Sequence, residues 1–218
     1  MNKNRKIKPK VRMYVEGKTE YNYFLELGKQ LDLDFKIEAI DMRGGGYSNF
    51  LLQIKKKGYQ GCTVIFVIVD LDNVSSDRKN FKELIDYCNS QNKRCPVSYF
   101  LIGSFKDFEY FACLHSKEYN NGNTDQFIIN NFKYKNIDNF KADNNIFNFL
   151  NSNGRNREIA LSKLRKKESF VNNDFNPIIR KKGDIKIKNK KIILNSDFET
   201  VKNSNMCDFF DIIEKSAE

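Results

Sequence analysis

Three short acidic stretches hold the side chains of this protein best suited to chemistry. They are Glu16-Gly17-Lys18-Thr19-Glu20, Asp70-Leu71-Asp72, and the run from Ser104 to His115, SFKDFEYFACLH. Aspartates spaced i, i+2 can share or bridge a divalent ion through hard oxygen ligands. Leaving both ionised without a cation is unfavourable, because like charges repel and raise a pKa. The competing reading is a solvated turn, where aspartate is common. Gly17 permits a tight turn into a helix, and Thr19 or Glu20 would otherwise be a plain helix cap. Gly17-Lys18-Thr19 has the ending of a P-loop, but that pattern needs a glycine where Arg12 stands, so a P-loop is excluded. In the third stretch Glu109 is a further metal ligand or a group behind the ligands, and Ser104 and Lys106 can touch phosphate oxygens. His115 follows Glu109 by about 240° of helical rotation, so the two need not face one pocket. A capping or core histidine is the competing reading there.

The remaining residue types narrow the chemistry. The five cysteines, Cys62, Cys88, Cys95, Cys113 and Cys207, are odd in number and include no CxxC pair. A zinc knuckle and a disulfide framework both fail on spacing, and reduced thiols fit a cytoplasmic protein. His115 is the single histidine, so a site of several histidine ligands is excluded. A metal here relies on carboxylates, which points to Mg²⁺, Mn²⁺ or Ca²⁺. A lone glutamate opposite a metal-binding DxD suits phosphodiester chemistry, with Glu16 as general acid or base or as part of the metal shell.

Such side chains must be brought together by the fold. Strands are expected over 11–15, 35–40, 63–69 and 97–102, alternating with helices over 18–31, 48–57 and 77–92 and one starting near residue 106. TVIFVIV at 63–69 is apolar on both faces, as in the centre of a parallel sheet. The alternation predicts an α/β fold. Each acidic stretch then follows a strand, at the carboxyl edge where open α/β sheets place their sites. The expected division is a flexible basic arm over 1–10, a core over 11–118, and an Asn-rich, mostly helical appendage over 119–218 packed on it. Within the appendage, helices are expected at 124–133, 143–151, 155–168 and 205–215, and a hairpin or edge strand at 184–194. The Arg43-Gly44-Gly45-Gly46 run reads as a flexible loop.

The chain has 218 residues and a formal net charge of +10. Residues 1–12 carry +6 and residues 155–191 carry +9, leaving −5 for the remainder, which holds the carboxylates. Arg155, Arg157, Lys163, Arg165, Lys166 and Lys167 form one basic run, and Arg180, Lys181 and Lys182 a second. Such runs neutralise phosphates without reading sequence, and Phe170 and Phe175 between them can stack on bases. The competing reading is a solvated helix face with core phenylalanines. No apolar run reaches the ~18 residues of a membrane span, and the basic N-terminus has no apolar stretch behind it, so a secretory signal is not expected.

The order EGKTE, DLD and S-x-x-x-F-E-x-x-x-x-L-H resembles the RloB family of Toprim-like proteins. These are related to the nuclease domains of overcoming-lysogenization-defect proteins and to abortive-infection proteins. The family pattern resembles E-G-x-T-E, a D-x-D after a buried strand, and S-N-P-x-F-E-x-W-x-x-x-H. This chain keeps Glu16, Gly17, Thr19, Glu20, Asp70, Asp72, Ser104, Phe108, Glu109, Leu114 and His115. It departs with Phe105-Lys106 for Asn-Pro and Phe111 for the frequent Trp, and Asn203 to Phe210 loosely resembles a C-terminal N-P-S-T-D motif. The resemblance implies a Toprim-like, Rossmann-like parallel sheet between helices. It also implies a Mg²⁺- or Mn²⁺-dependent nuclease acting on DNA or RNA in anti-phage defence beside an ATPase encoded nearby. Glu16, Asp70 and Asp72 would hold the metal with help from Glu20 and Glu109, while Ser104 and His115 would stand behind them. A homo-oligomer is compatible with this reading. The alternatives are a non-catalytic Toprim-like subunit held by an ATPase and, more remotely, a sugar-nucleotide transferase, in which EGKTE has no role.

Overall fold

The structure is a computed structural model of the chain and describes residues 10–31, 35–176, 179–181, 184–195 and 203–214. Nearly all of the basic arm and Lys182 lie outside the described residues, as do the side chains of Arg180 and Lys181.

The first half alternates strand and helix: β1 (Lys10–Val15), α1 (Lys18–Gln30), β2 (Lys36–Asp41), α2 (Gly46–Lys57), β3 (Cys62–Asp70), α3 (Arg78–Arg94), β4 (Ser98–Ser104) and α4 (Phe108–Leu114). The four strands form one parallel sheet in the order β2-β1-β3-β4. This is an α/β, Rossmann-like arrangement. β3 is central because its β-branched run is buried on both faces. Alternate side chains then divide the core in two. Val11, Met13, Val15, Phe66, Ile68, Phe100 and Ile102 face α1 and α4. Tyr14, Ile65, Val67, Val69, Tyr99 and Leu101 face α2 and α3.

The second half continues with α5 (Thr124–Asn130), α6 (Ile137–Lys141), α7 (Ile146–Leu150), α8 (Arg157–Leu164), β5 (Val171–Phe175), β6 (Ile179–Lys181), β7 (Asp184–Lys186), β8 (Asn189–Leu194) and α9 (Met206–Glu214). The helices are shorter than expected, and α6, β5 and β6 are additional. The strand expected over 184–194 is two short strands: β7 pairs with β6, and β8 with β5. Helices α5 to α9 extend the α1–α4 cluster with Phe140, Phe147, Leu161, Phe209 and Phe210. Val171 of β5 and Ile192 of β8 join the opposite cluster.

Asparagine side chains seal the outer edge of β4. Asn173 accepts from the Leu101 amide (3.1 Å) and donates to the Leu101 carbonyl (3.0 Å). Asn189 donates to the Tyr99 carbonyl (2.8 Å), and Asn205 accepts from the Gly103 amide (2.7 Å). A carboxamide offers one donor and one acceptor as a peptide does, so these residues supply what a fifth strand would. The Gly-rich run, expected as a flexible loop, is a defined turn. Arg43, Gly44, Gly45 and Gly46 are all left-handed, with φ of 55°, 74°, 90° and 66°. Asn49 Nδ2 ties the turn down through the Met42 and Gly44 carbonyls, and the Gly44 amide donates to the Glu16 carbonyl (2.9 Å). Among the described residues no helix is long and apolar enough to cross a membrane.

Candidate active site

β1 and β3 are adjacent parallel strands whose connections leave in opposite directions, β1 towards β2 and β3 towards β4. Their carboxyl ends flank the switch point of the sheet, where an open α/β sheet leaves a crevice. Glu16 is the first residue after β1 and Asp70 the last of β3. Glu16 Oε2 accepts a hydrogen bond from the Asp70 amide at 3.0 Å, which fixes the two stretches against each other. Glu20 lies in the first turn of α1 and Glu109 in the first turn of α4, and both are almost fully buried, at 5% and 3% exposure. Asp107 N-caps α4 by accepting from the Tyr110 amide (3.2 Å). Tyr47 of α2 donates to the Asp70 carbonyl at 2.8 Å from the opposite side of the sheet.

The carboxylates act on one another. Burial, reinforced by the negative charges of Glu109 and Glu16, pushes the Glu20 carboxyl up to about 8. Burial and Asp107 push Glu109 up to about 7, against the pull of Lys141. Asp70 is raised well above the usual carboxylate range by burial and then by Glu20, Glu16 and Glu109. Glu16 is raised by burial, opposed by the Asp70 amide and reinforced by Asp72. Asp72 is exposed at the rim, where Asn73 Nδ2 donates to its Oδ1 (2.7 Å). Glu16, Glu20, Asp70 and Glu109 thus share one electrostatic neighbourhood. Among the described residues no three His, Cys, Asp or Glu side chains stand at the spacing of a formed metal cage. As a donor set the patch suits a hard divalent cation, which would relieve the repulsion that raises these groups.

Three expectations need correction. Ser104 is buried, its hydroxyl shared with that of Ser204 (3.0 Å) across an antiparallel bridge, so it anchors the C-terminal segment and does not reach a phosphate. His115 is a core residue. Its Nδ1 lies 3.0 Å from the Phe111 carbonyl and so carries the proton, which leaves Nε2 to accept from the Tyr23 hydroxyl (3.1 Å). Burial holds its pKa down to about 4.

The third correction concerns the basic run over 155–167, which is largely taken up inside the fold. Arg155 Nε donates to the Phe149 carbonyl (3.0 Å) and its guanidinium lies 4.1 Å from the centre of the Phe149 ring. Arg157 pairs with Glu214 (2.7 Å) over the Phe210 ring, and Arg165 pairs with Asp211 (2.9 Å). Lys163 donates to the carbonyls of Ser116 and Tyr119, both at 2.7 Å. Lys167 donates to the Tyr110 hydroxyl (3.0 Å) and to Asn121 (2.8 Å). Lys166 remains exposed. Phe170 stacks on Phe81 and Phe175 packs edge-on to Phe100, as core side chains do.

Exposed cations do border the carboxylate edge: Lys18 after Glu16, Arg43 in the glycine turn, and Lys106 on the loop after β4. Motif reading misses Lys141, at the end of α6, whose ammonium lies 3.5 Å from Glu109 Oε1. No local pattern marks it, because only the packing of α6 brings it to the site. Searches of protein-family models, curated proteins and solved structures found no match to this chain.

Proposed function

We propose that this protein is a metal-dependent nuclease of the Toprim-like, RloB-related kind, hydrolysing phosphodiester bonds of DNA or RNA in anti-phage defence beside an ATPase partner. The observation that carries the reading is the convergence of Glu16, Glu20, Asp70 and Glu109 at the switch point of a parallel sheet. The order of the three motifs and the sheet order support it further. Glu16, Asp70 and Asp72, with Glu20 behind them, would hold Mg²⁺ or Mn²⁺. The ion would supply charge neutralisation at the phosphoryl oxygens and the leaving group. Glu16, held by the Asp70 amide and raised in proton affinity, is suited to move a proton at the attacking or leaving oxygen. Lys18, Arg43 and Lys106 would hold the flanking phosphates against the acidic crevice.

One observation favours a second reading, a non-catalytic Toprim-like subunit of a defence complex. Of the basic side chains expected on nucleic acid, most of those described, Arg155, Arg157, Arg165 and Lys167, are engaged within the fold. Labelled DNA and RNA incubated with the protein and Mg²⁺ or Mn²⁺ separate the two. Cleavage that falls at least about a hundredfold in Glu16→Gln and Asp70→Asn is the expected result. Variants that cut as well as wild type would refute the nuclease.

A further inference from the structure

Among the described residues, the basic group in contact with the buried Glu109 carboxylate comes from the half of the chain that carries none of the acidic motifs. α6 ends on Lys141, and its backbone is fixed to α1. The Lys141 carbonyl accepts from the Thr19 hydroxyl (3.5 Å), one residue before Glu20. The following turn is held by Asn22, whose Nδ2 donates to the Asp143 carbonyl (3.4 Å) and to Asn144 Oδ1 (3.1 Å). With its stem so placed, the ammonium reaches Glu109 Oε1 at 3.5 Å. Its side chain is 49% exposed while that of Glu109 is 4% exposed, so the cation sits in the mouth of the crevice and the carboxylate in its floor. Its charge also acts on Glu16, Glu20, Asp70 and Asp107.

We propose that Lys141 is a resident cation that takes the place of a second metal ion, so that the site binds one divalent ion and Glu109 serves the lysine instead of the metal. This inference rests on the metal-site reading above and deepens it. A second M²⁺ near Glu109 would meet a fixed ammonium in a confined, half-desolvated space, where the repulsion of like charges is strong. The first ion would be held by Glu16, Asp70 and Asp72, whereas Lys141 makes its ion pair with Glu109. α6 also acts as a strap, since it joins the second half of the chain to the first turn of α1 at the residue before Glu20. In this arrangement Lys141 is a positioning residue that sets the charge and the metal count of the crevice.

Mn²⁺ titration of the purified full chain, followed by electron paramagnetic resonance and calorimetry, tests this. Wild type and Lys141→Arg should each bind one Mn²⁺. Lys141→Met should bind a second ion, because the unit charge that excludes it beside Glu109 is gone. Lys141→Gln is the second neutral variant should Lys141→Met fold poorly, and circular dichroism checks both. Two ions in wild type, or folded neutral variants that still bind one, would overturn the inference. The parent reading is judged separately by Asp70→Asn. If wild type binds one Mn²⁺ and Asp70→Asn binds none, the metal site stands whatever Lys141 does. If wild type binds no Mn²⁺, both fall.

Discussion

Replacing Glu20 by glutamine should stabilise the metal-free protein at alkaline pH and change little at acid pH. Glu20 is buried under α1 beside Glu109 and Glu16, and its carboxyl is pushed up from 4.5 to about 8. Below about pH 4.5 the proton is bound in both the folded and the unfolded chain, and the contribution of the group to stability is full. As the pH rises towards 8 the unfolded chain releases the proton while the folded chain keeps it. That contribution is therefore lost across this window and is absent above it. At 1.36 kcal/mol per unit the displacement corresponds to about 5 kcal/mol. Some of this belongs to Glu109 and Glu16, which relax when Glu20 is neutral, so a gain of about 3 kcal/mol is expected for the variant.

Glutamine has the shape of the protonated acid, so the packing is kept. For a chain of this length about 3 kcal/mol is a rise of about 10 °C in Tm. The chain has no tryptophan, so circular dichroism melts at 222 nm in EDTA at pH 5 and pH 8.5 are the assay. Glu20→Gln should melt close to wild type at pH 5 and well above it at pH 8.5. A variant that melts at or below wild type at pH 8.5 would refute the claim that burial, reinforced by Glu109 and Glu16, makes the ionised Glu20 costly in the fold.

Asn205→Leu should cost about 2–4 kcal/mol in urea unfolding, because it leaves the buried Gly103 amide unpaired and removes one donor to the Leu101 carbonyl. A cost under about 0.5 kcal/mol would show that the edge of β4 needs no such partner. His115, whose pKa burial lowers to about 4, contributes stability that is present above about pH 6.5 and lost as the pH falls towards 4. As the single histidine it gives one set of ring proton resonances in NMR, which should stay unchanged from pH 8 to pH 5. A midpoint near 6.5 would place it in contact with water.

The parallel sheet was legible because β3 and β4 are largely apolar runs and β1 is apolar but for Lys10 and Arg12, with glycine or acid at or just past their ends. That alone locates Glu16 and Asp70 on one edge, since parallel neighbours end together. Glu20 and Glu109 follow from helical position once α1 and α4 are known to start at that edge. Lys141 does not follow. α6 has five residues and no pronounced apolar face, and it meets Thr19 from 122 residues away in sequence. The run at 171–175, VNNDF, lacks the apolar alternation of a strand because β5 turns Asn173 towards β4 and Asn172 bonds the Ser169 carbonyl. The basic run misled for a different reason. A count of charges gives no information on how many guanidinium groups are already paired, and Arg157 and Arg165 answer acids of α9 that stand far along the chain.

Asparagine is where composition hides most of the physics. Its abundance in the second half carries no functional weight as a frequency, yet Asn173, Asn189 and Asn205 do a specific task at the rim of the sheet. Each bonds a peptide group of β4 at the sheet rim, and Asn173 and Asn205 supply the acceptors for the Leu101 and Gly103 amides. Aspartate could accept from the Gly103 or Leu101 amide but could not donate to a carbonyl, and its charge would be buried. The same segment continues beyond β4. The Asn203 carbonyl accepts from the Phe105 amide (2.8 Å), and Ser204 bridges Ser104. The loop that carries Lys106 and Asp107 is therefore tied to the segment before α9 as well as to its own strand. An α/β core of this kind could place its carboxylates alone, but the appendage fixes the loop on one side of them and the ammonium of Lys141 on the other.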